Sequence, residues 1–459
     1  MSDGLFPRNF RKTYPQAVRG EGCYIFTADG RRFLDAAGGA AVVTIGHGVA
    51  SVARAMAVQA ERLAYVHSSQ FETPVAAELS RRLLDLAPAN FRRGRVYLTS
   101  GGSEATETAI KLARQHFLER GDAKRFRVMA RKQSYHGSTL GALSLSGNVR
   151  RREPFAPLLA EWGHIPECYC YRCPMGLHYP ECNVDCADEL DRMLRRGDFE
   201  GGAGTVAAFI LEPVSGATLG AVPPPEGYLQ RIAEICNEHG ILLIADEIMT
   251  GMGRTGRCFA VDHWGVKPDL ILVGKGVASG YAPLGAVLVS EEVAGTINRG
   301  SGVFLHGFTY SAHPVSAAAG VAVLNHIREN KLFERVAPMG KELRESLEPL
   351  KQFSVVGDIR GMGLLLGIEC VRTGSEPFPP EAHIANRIAE DALEAGVLTY
   401  PMQGSVDGKR GDHLLIAPPF TISSAQIEFL ATTLKNAIGE LDRAHRSGAG
   451  GDPAKTSVS

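Results

Sequence analysis

The chain has 459 residues, which exceeds the size at which a single hydrophobic core normally stops growing, so we expect two domains. Hydrophobic residues make up 44% of it, and 49 basic residues nearly balance 50 acidic ones without a polybasic block. These values are typical of a globular protein and argue against binding to nucleic acid or anionic lipid. No apolar run approaches the roughly 18 residues of a membrane span, and the first residues lack the apolar core of a signal peptide, so we expect a cytoplasmic protein.

The first predicted elements are a β-hairpin and two helices. Apolar and polar residues alternate over residues 24–33, where the pair Asp29–Gly30 is a common hairpin turn. Apolar residues at helical spacing then predict helices over residues 51–65 and 74–87. We expect the polar residues 1–13, which precede the hairpin, to form a loosely held arm.

A short predicted strand over residues 95–99 leads through Ser100-Gly101-Gly102-Ser103 into a predicted helix over residues 104–117. A strand, a glycine-rich turn and a helix start together present free backbone N–H groups and the positive end of a helix dipole, which bind anions such as phosphate. A Gly-Gly-Ser sequence before a helix also often serves as a simple N-cap. An anion site and a structural cap are therefore both open alternatives.

Residues 165–204 are rich in cysteine and hold five of the nine cysteines of the chain. The spacings Cys170-x2-Cys173 and Cys182-x3-Cys186 are close to those of structural zinc sites. Thiols that pack the interior of this segment are the alternative, and the expected cytoplasmic location argues against disulfides. We expect packing thiols and assign no metal ligand.

The chain is organised around residues 241–275. An apolar run of strand length ends in Asp246, and a second such run ends 29 residues later (275 − 246) in Lys275. Two runs joined by a crossover predict neighbouring parallel strands, whose carboxyl ends face the ligand crevice of an α/β sheet. A lysine placed there can form a Schiff base with an aldehyde cofactor, while the aspartate keeps the pyridinium nitrogen of that cofactor protonated.

This stretch resembles the signature of the class III aminotransferases, which use pyridoxal 5′-phosphate. In that family an Asp-Glu pair, a Gly-x-Gly-Arg-Thr-Gly turn and a later lysine occur together, as in Asp246–Glu247, Gly251–Gly256 and Lys275 of this chain. A lone aspartate and lysine would indicate only a turn cap and a surface amine. The resemblance covers nearly everything from Gly20 to about Ala437 except the cysteine-rich segment, and it implies that Lys275 and Asp246 are catalytic.

The resemblance also implies a set of cofactor contacts. The predicted cofactor-binding residues are Gly102, Ser103, Tyr135, His136, Glu212, Asp246, Lys275 and Thr309. In the family, Gly102 and Ser103 would hold the phosphate and Tyr135 would stack on the pyridine ring. The threonine at the position of Thr309 donates to the phosphate of the partner subunit, so the resemblance implies a homodimer with active sites at its interface, or a tetramer.

Three positions bear on the substrates that the resemblance implies. The loop that ends in Val42 lines the substrate pocket in the family, and its small residues here imply a roomy wall. Members that use glutamate as amino donor commonly carry a glutamate where this chain has Ala217, so pyruvate is the implied co-substrate. Arg410 would bind the substrate carboxylate in a bidentate fork, and the alternative is a surface pair with Asp407 or Asp412.

The fold that the resemblance implies is α/β, fold type I of the pyridoxal-phosphate enzymes. Residues 70–325 would form a large domain with a doubly wound, mostly parallel sheet, and residues 1–69 and 326–446 a smaller α+β domain. Residues 447–459 are expected to be a disordered tail. The implied activity is transfer of an amino group from a primary amine or ω-amino acid to a keto acid, with pyruvate as the acceptor that the resemblance implies. A pyridoxal-phosphate-dependent aminomutase or decarboxylase on the same fold is the alternative.

Overall fold

The structure, a computed structural model, describes residues 4–197 and 201–447. Residues 1–3 of the predicted arm, residues 198–200 of the cysteine-rich segment and residues 448–459 of the predicted tail lie outside the described residues. Within the two described ranges, no helix combines the length and the apolar character needed to cross a lipid bilayer.

The strands fall into three sheets. Their bounds are β1 Ala17–Glu21, β2 Tyr24–Thr27, β3 Arg32–Asp35, β4 Arg95–Thr99, β5 Arg127–Arg131, β6 His164–Ile165, β7 Val206–Leu211, β8 Leu242–Asp246, β9 Leu270–Val273, β10 Gly285–Val289, β11 Val356–Met362, β12 Leu365–Cys370, β13 Val397–Leu398, β14 Tyr400–Gln403 and β15 Asp412–Ile416.

The helices connect and cover these strands. Their bounds are α1 Gly38–Ala41, α2 Ala50–Arg62, α3 Pro74–Leu86, α4 Gly102–Glu119, α5 Leu140–Leu145, α6 Val149–Arg152, α7 Asp185–Arg196, α8 Tyr228–His239, α9 Glu291–Arg299, α10 Pro314–Glu329, α11 Leu332–Leu347, α12 Ile384–Glu394 and α13 Ser424–Arg446.

The largest sheet has the strand order β4-β10-β9-β8-β7-β5-β6. Strand β10 runs antiparallel to both of its neighbours, and the other paired strands run parallel. Its central strands β7, β8 and β9 are buried along their whole length, because helices cover both faces of the sheet. This mostly parallel, doubly wound sheet confirms the predicted fold class.

Alternate residues of the central strands face opposite helical layers. Leu242 and Ile244 of β8 pack in the cluster that contains α4, whereas Leu243 packs in the cluster that contains α8. Apolar residues on both faces explain why the sequence reads as a continuous apolar run instead of an alternating pattern. The polar residues that follow these strands are therefore left at the carboxyl edge of the sheet.

Two smaller sheets have the strand orders β1-β2-β3-β13 and β11-β12-β15-β14. The pairing of β2 with β3 confirms the predicted hairpin. Strand β13 pairs in parallel with β3, so a strand from the later part of the chain completes a sheet begun near the amino terminus. The division of the chain into a large and a smaller domain stays a prediction.

Candidate active site

A cavity of about 310 Å³ lies at the carboxyl edge of the large sheet. Residues that follow different parallel strands converge there, because such strands end at the same edge. Seven of the ten predicted site residues line this cavity: Gly102, Ser103, Tyr135, His136, Glu212, Asp246 and Lys275. The fold thus brings together side chains and backbone groups from five separate segments of the chain.

Asp246 is the last residue of β8, and only 4% of it is exposed. Its Oδ2 lies 2.7 Å from Nδ1 of His136, and its Oδ1 accepts a hydrogen bond from the backbone N–H of Ile248 at 3.1 Å. A buried carboxylate requires such partners, since removing it from water is costly. The two contacts fix the orientation of the carboxylate in the cavity wall.

Lys275 follows β9 and begins a short 3-10 turn, Lys275–Val277. Its φ of 44° lies in the left-handed region, which costs a non-glycine residue roughly 1 kcal/mol or more and is often found at active sites. Burial lowers the pKa of its amine to about 8, although the nearby carboxylates of Asp246 and Glu212 act in the opposite direction. Near neutral pH, the neutral and nucleophilic amine is therefore more abundant than in an exposed lysine.

Helix α4 starts at Gly102, two residues before the predicted helix. Gly101 precedes it and has no side chain to cap the first N–H groups, so these groups remain available to an anion. A Cβ atom at Gly137, where φ is 138°, would lie 2.6 Å from Oγ of Ser103, so the loop can approach the helix start only with glycine at this position. Of the two alternatives for this turn, the uncapped helix start favours the anion site.

These residues fit pyridoxal phosphate. An anion site, the aromatic ring of Tyr135, the carboxylate of Asp246 and the amine of Lys275 line one cavity. Two further atoms in its wall, Oε2 of Glu212 and Nε2 of His136, are buried without a hydrogen-bond partner among the described residues. Burial also raises the pKa of Glu212. Buried polar atoms without partners beside a cavity are expected where a polar ligand binds.

Thr309 and Val42 do not line the cavity of this chain. Thr309 is exposed, and its backbone oxygen accepts a hydrogen bond from the hydroxyl of Tyr65 at 2.8 Å. The loop that ends in Val42 was expected to line the substrate pocket, but the residue of this loop that lines the cavity is Ala40 of α1. Residues of α1 have positive φ, so the chain makes a left-handed turn here, and Val42 follows that turn in a half-buried position.

The structure places Arg410 on an exposed turn, which differs from the predicted position in the substrate site. Its Nε lies 2.7 Å from Oδ2 of Asp407, and Oδ1 of Asp407 accepts the backbone N–H groups of Lys409 and Arg410. Because Asp407 holds both the backbone and the side chain of Arg410, the guanidinium lies outside the cavity. The surface pair with Asp407, one of the two alternatives, is what the structure contains.

Several cavity residues are absent from the predicted site. They are Arg8, Ala40, Gly137, Arg151, Val214, Ala217, Ile248, Met249 and Tyr400, of which only Ala217 and the loop of Ala40 were expected to affect substrate choice. Ile248 and Met249 directly follow the pair Asp246–Glu247 at the predicted strand end, so their position could have been predicted. Arg151 follows no predicted strand and belongs to a run of three arginines, and nothing in that pattern indicates which arginine faces the cavity.

The cysteine-rich segment encloses a separate pocket of about 20 Å³. Cys170, Cys173, Cys182 and Cys186 line it together with apolar neighbours such as Met175. All nine cysteines are free thiols. In residues 4–197 and 201–447, no group of three or more His, Cys, Asp or Glu side chains is placed to bind a metal ion. That these thiols pack the segment stays a prediction.

Relatives in the sequence comparisons are aminotransferases. The family model described as aminotransferase class-III matches residues 6–438. YodT, an uncharacterised aminotransferase of Bacillus subtilis, is 38% identical over 447 residues, which are 96% of this chain and 99% of that protein. An omega-aminotransferase of Caulobacter vibrioides is 33% identical over 443 residues, which are 95% of this chain and 96% of that protein.

Solved structures agree with the sequence relatives. An (S)-enantioselective omega-transaminase from Thermomicrobium roseum has a TM-score of 0.88 at 37% identity, with 96% of each chain covered. An amine transaminase from an uncultivated Pseudomonas species, solved with pyridoxal phosphate bound, has a TM-score of 0.88 at 36% identity, with 96% of this chain and 98% of that chain covered. The chain therefore belongs to the class III aminotransferases, a family of pyridoxal-phosphate-dependent enzymes with the type I fold.

Proposed function

We propose that this enzyme transfers an amino group from a primary amine or an ω-amino acid to a keto acid, with pyruvate as the acceptor. The observation that carries the proposal is the apolar wall of the cavity around Ala217. Val214 and Met249 lie in the same wall, and α1 contributes Ala40. Glutamate would bring a second carboxylate whose desolvation against this wall is costly, so short keto acids and carboxylate-free amines fit better.

Two of the relatives support this substrate class. The Caulobacter protein is described as an omega-aminotransferase and the Thermomicrobium protein as an omega-transaminase, and both are matched over nearly their whole lengths. A shared architecture alone would not select a substrate, because function depends on the residues of the site. The apolar wall and the relatives point in the same direction by independent routes.

Lys275 is the proposed proton carrier and the residue to which the cofactor attaches as a Schiff base. Bound pyridoxal phosphate supplies an electron sink that stabilises negative charge at the substrate carbon. The amine of Lys275, with a pKa of about 8, can accept a proton near neutral pH and return it afterwards. A lysine with an ordinary pKa near 10.5 would be almost fully protonated at the same pH and a poorer base.

The other cavity residues bind and orient. Asp246, which His136 holds in place, is proposed to pair with the ring nitrogen of the cofactor. The N–H groups of Gly102 and Ser103 at the start of α4 are proposed to bind its phosphate. The ring of Tyr135 offers an aromatic face to the cofactor ring.

The proposal includes a cytoplasmic homodimer in which Thr309 reaches the phosphate site of the other subunit. Two apolar residues near Thr309 support burial against a second copy, since Leu305 is 89% exposed and Tyr310 is 60% exposed. Sedimentation velocity will distinguish a dimer from a monomer or a tetramer. Thr309→Ala should then weaken cofactor retention without changing the sedimentation coefficient, and a monomeric enzyme with full activity would exclude this arrangement.

The proposed reaction is tested by half-reactions of the holoenzyme. A panel of primary amines, ω-amino acids and glutamate is mixed with the enzyme without acceptor, and the cofactor absorbance is followed. We expect stoichiometric pyridoxamine phosphate and a carbonyl product with amines or ω-amino acids, and recovery of the starting absorbance with pyruvate but far less with 2-oxoglutarate. An aminomutase or a decarboxylase would release no equivalent of carbonyl product together with pyridoxamine phosphate. Preference for glutamate and 2-oxoglutarate would overturn the proposal.

A further inference from the structure

Arg151 is a cation in the cavity that neither the strand ends nor the helix start accounts for. It is the third residue of α6, and its backbone N–H donates to Oδ1 of Asn148, the residue that caps this helix. Its guanidinium carbon lies 4.6 Å from the centre of the Tyr135 ring, a cation–π distance. The side chain is thus held against an aromatic residue of the active site.

Arg151 differs from the two arginines beside it in the same helix. Nη1 of Arg150 donates to Oε1 of Gln403 at 2.9 Å, and Nη1 of Arg152 donates to the backbone oxygen of Ser146 at 3.1 Å. Of the three, only Arg151 lines the cavity. Among the described residues its guanidinium has the Tyr135 ring as a contact and no carboxylate within ion-pair distance.

The carboxylates of the cavity contact groups other than Arg151. Asp246 binds His136, and Oε1 of Glu212 accepts the backbone N–H of Gly216 at 3.1 Å, while its Oε2 has no partner among the described residues. Arg151 and Lys275 line the same cavity, and next to burial the positive charge of Arg151 is one of the smaller influences that lower the pKa of Lys275. A half-buried guanidinium that faces a cavity without an anionic partner is suited to an anion from solution.

We propose that Arg151 binds the substrate carboxylate of the keto-acid acceptor, and of an ω-amino-acid donor when one is used. The inference rests on the proposed function and adds to it the residue that recognises the acid. A guanidinium offers two parallel N–H groups to a carboxylate, so it can fix the orientation of pyruvate towards Lys275. It also assigns to Arg151 the substrate role expected of Arg410, whose guanidinium lies outside the cavity.

The test compares holoenzyme carrying Arg151→Gln or Arg151→Lys with wild type and with Arg195→Ala. Arg195 is a matched charge control, because its side chain is 67% exposed and pairs with Asp191 on α7. Four quantities are measured: KM for pyruvate, KM for 1-phenylethylamine as a carboxylate-free donor, the affinity for cofactor, and propionate binding by calorimetry. Propionate carries the carboxylate but cannot react, so its binding reports on recognition without turnover.

We expect Arg151→Gln to raise KM for pyruvate and Kd for propionate by about ten- to a hundredfold, the effect of losing a charged hydrogen bond. Arg151→Lys should show a smaller increase, because it keeps the charge but loses the fork. KM for 1-phenylethylamine and cofactor affinity should change by less than about twofold, as should all four quantities in Arg195→Ala.

Three results would overturn the inference. Unchanged pyruvate and propionate affinity in Arg151→Gln would remove the residue from carboxylate binding. Equal losses for pyruvate and 1-phenylethylamine, with an altered cofactor spectrum, would assign Arg151 to positioning of Tyr135. A loss confined to cofactor affinity would assign it to the cofactor phosphate. If wild type fails to use pyruvate, the proposed acceptor is wrong, but propionate binding still tests Arg151 independently.

Discussion

Nδ1 of His136 lies 2.7 Å from Oδ2 of Asp246, although the two residues are 110 positions apart in the chain. Both are buried, with 1% of His136 and 4% of Asp246 exposed. The carboxylate can only accept, so Nδ1 of His136 carries the hydrogen of this bond. The imidazole therefore fixes one carboxylate oxygen in the wall of the cavity.

Asp246→Asn should leave the cofactor bound but lower kcat by about 10²–10³-fold, because a neutral amide cannot stabilise the protonated ring nitrogen of the cofactor. Single-turnover kinetics with an amine donor will measure the effect. Glu247→Gln is the matched control, since the adjacent Glu247 is buried against Thr250 and the backbone of Val261 and does not line the cavity. Near-normal single-turnover rates in Asp246→Asn would exclude its catalytic role.

Lys275→Ala should abolish nearly all turnover and the absorbance that arises from covalent attachment of the cofactor, while the cofactor still binds through its other contacts. Absorbance spectra and mass spectrometry after borohydride reduction will show whether the attachment is lost. Lys267→Ala is the control, since Lys267 is exposed and lies outside the cavity. A cofactor still attached after Lys275→Ala would transfer the role to another lysine.

Lys275 should also react with amine reagents at an unusually low pH. Its pKa is about 8 because burial disfavours the charged amine, so the neutral fraction rises through pH 8 and not near 10.5. Competitive acetylation of cofactor-free protein, quantified by mass spectrometry at each lysine between pH 6 and 11, will give the midpoints. A midpoint for Lys275 equal to that of the exposed Lys267 would contradict the effect of burial.

Buried strands could be predicted well from the sequence. The predicted strand over residues 95–99 coincides with β4, and the two apolar runs predicted before Asp246 and Lys275 are β8 and β9. Strands β8 and β9 are buried along their whole length, so their runs hold no polar residue before the strand end. Asp246 ends β8 and Lys275 follows β9, and both line the cavity. The position of these two residues could therefore be predicted from the apolar runs before them.

The periphery of the site could not be predicted in the same way. Arg410 and Arg151 have similar local sequences rich in basic residues, yet one pairs with Asp407 outside the cavity and the other lines it. The direction of each side chain depends on a turn or a short helix whose orientation is set by packing with distant segments. The resemblance placed the loop that ends in Val42 in the substrate wall, but its left-handed backbone decides that Ala40 and not Val42 lines the cavity.

His413 should make the folded protein less stable as the pH falls. Burial lowers its pKa to about 4, and Nε2 donates to the backbone oxygen of Ala217 at 2.7 Å. In the unfolded chain the pKa of this histidine is the ordinary 6.5. Between pH 6.5 and 4 the unfolded state therefore binds more protons than the folded state, and this binding lowers the free energy of unfolding. Urea unfolding should show the wild type losing roughly 2 kcal/mol more than His413→Gln between pH 7 and 5. Parallel pH profiles would contradict this.

Glu369 should be important for the stability of the small sheet and of the cysteine-rich segment. It is fully buried in β12, where Oε1 accepts Nε of Arg172 at 2.9 Å. Oε2 accepts Nη2 of Arg360 at 2.6 Å and the hydroxyl of Tyr169 at 2.8 Å. One carboxylate therefore joins two residues of the cysteine-rich segment to β11, and the two guanidinium groups hold its pKa below the usual value.

Glu369→Ala should lower the free energy of unfolding by about 3–5 kcal/mol, because it leaves buried guanidinium groups without their carboxylate. Urea unfolding and the Tm of the cofactor-free protein will measure the loss. Glu345→Ala is the control, since this residue pairs with Lys341 at 3.7 Å on the exposed surface of α11 and should change stability by less than about 1 kcal/mol.

Glu369→Ala should also affect the substrate. Arg360 donates to the backbone oxygen of Leu219, two residues after Ala217, so the substitution should loosen the cavity wall around Ala217 and raise substrate KM. Equal stability of the two variants would show that the buried cluster contributes no more than a surface pair.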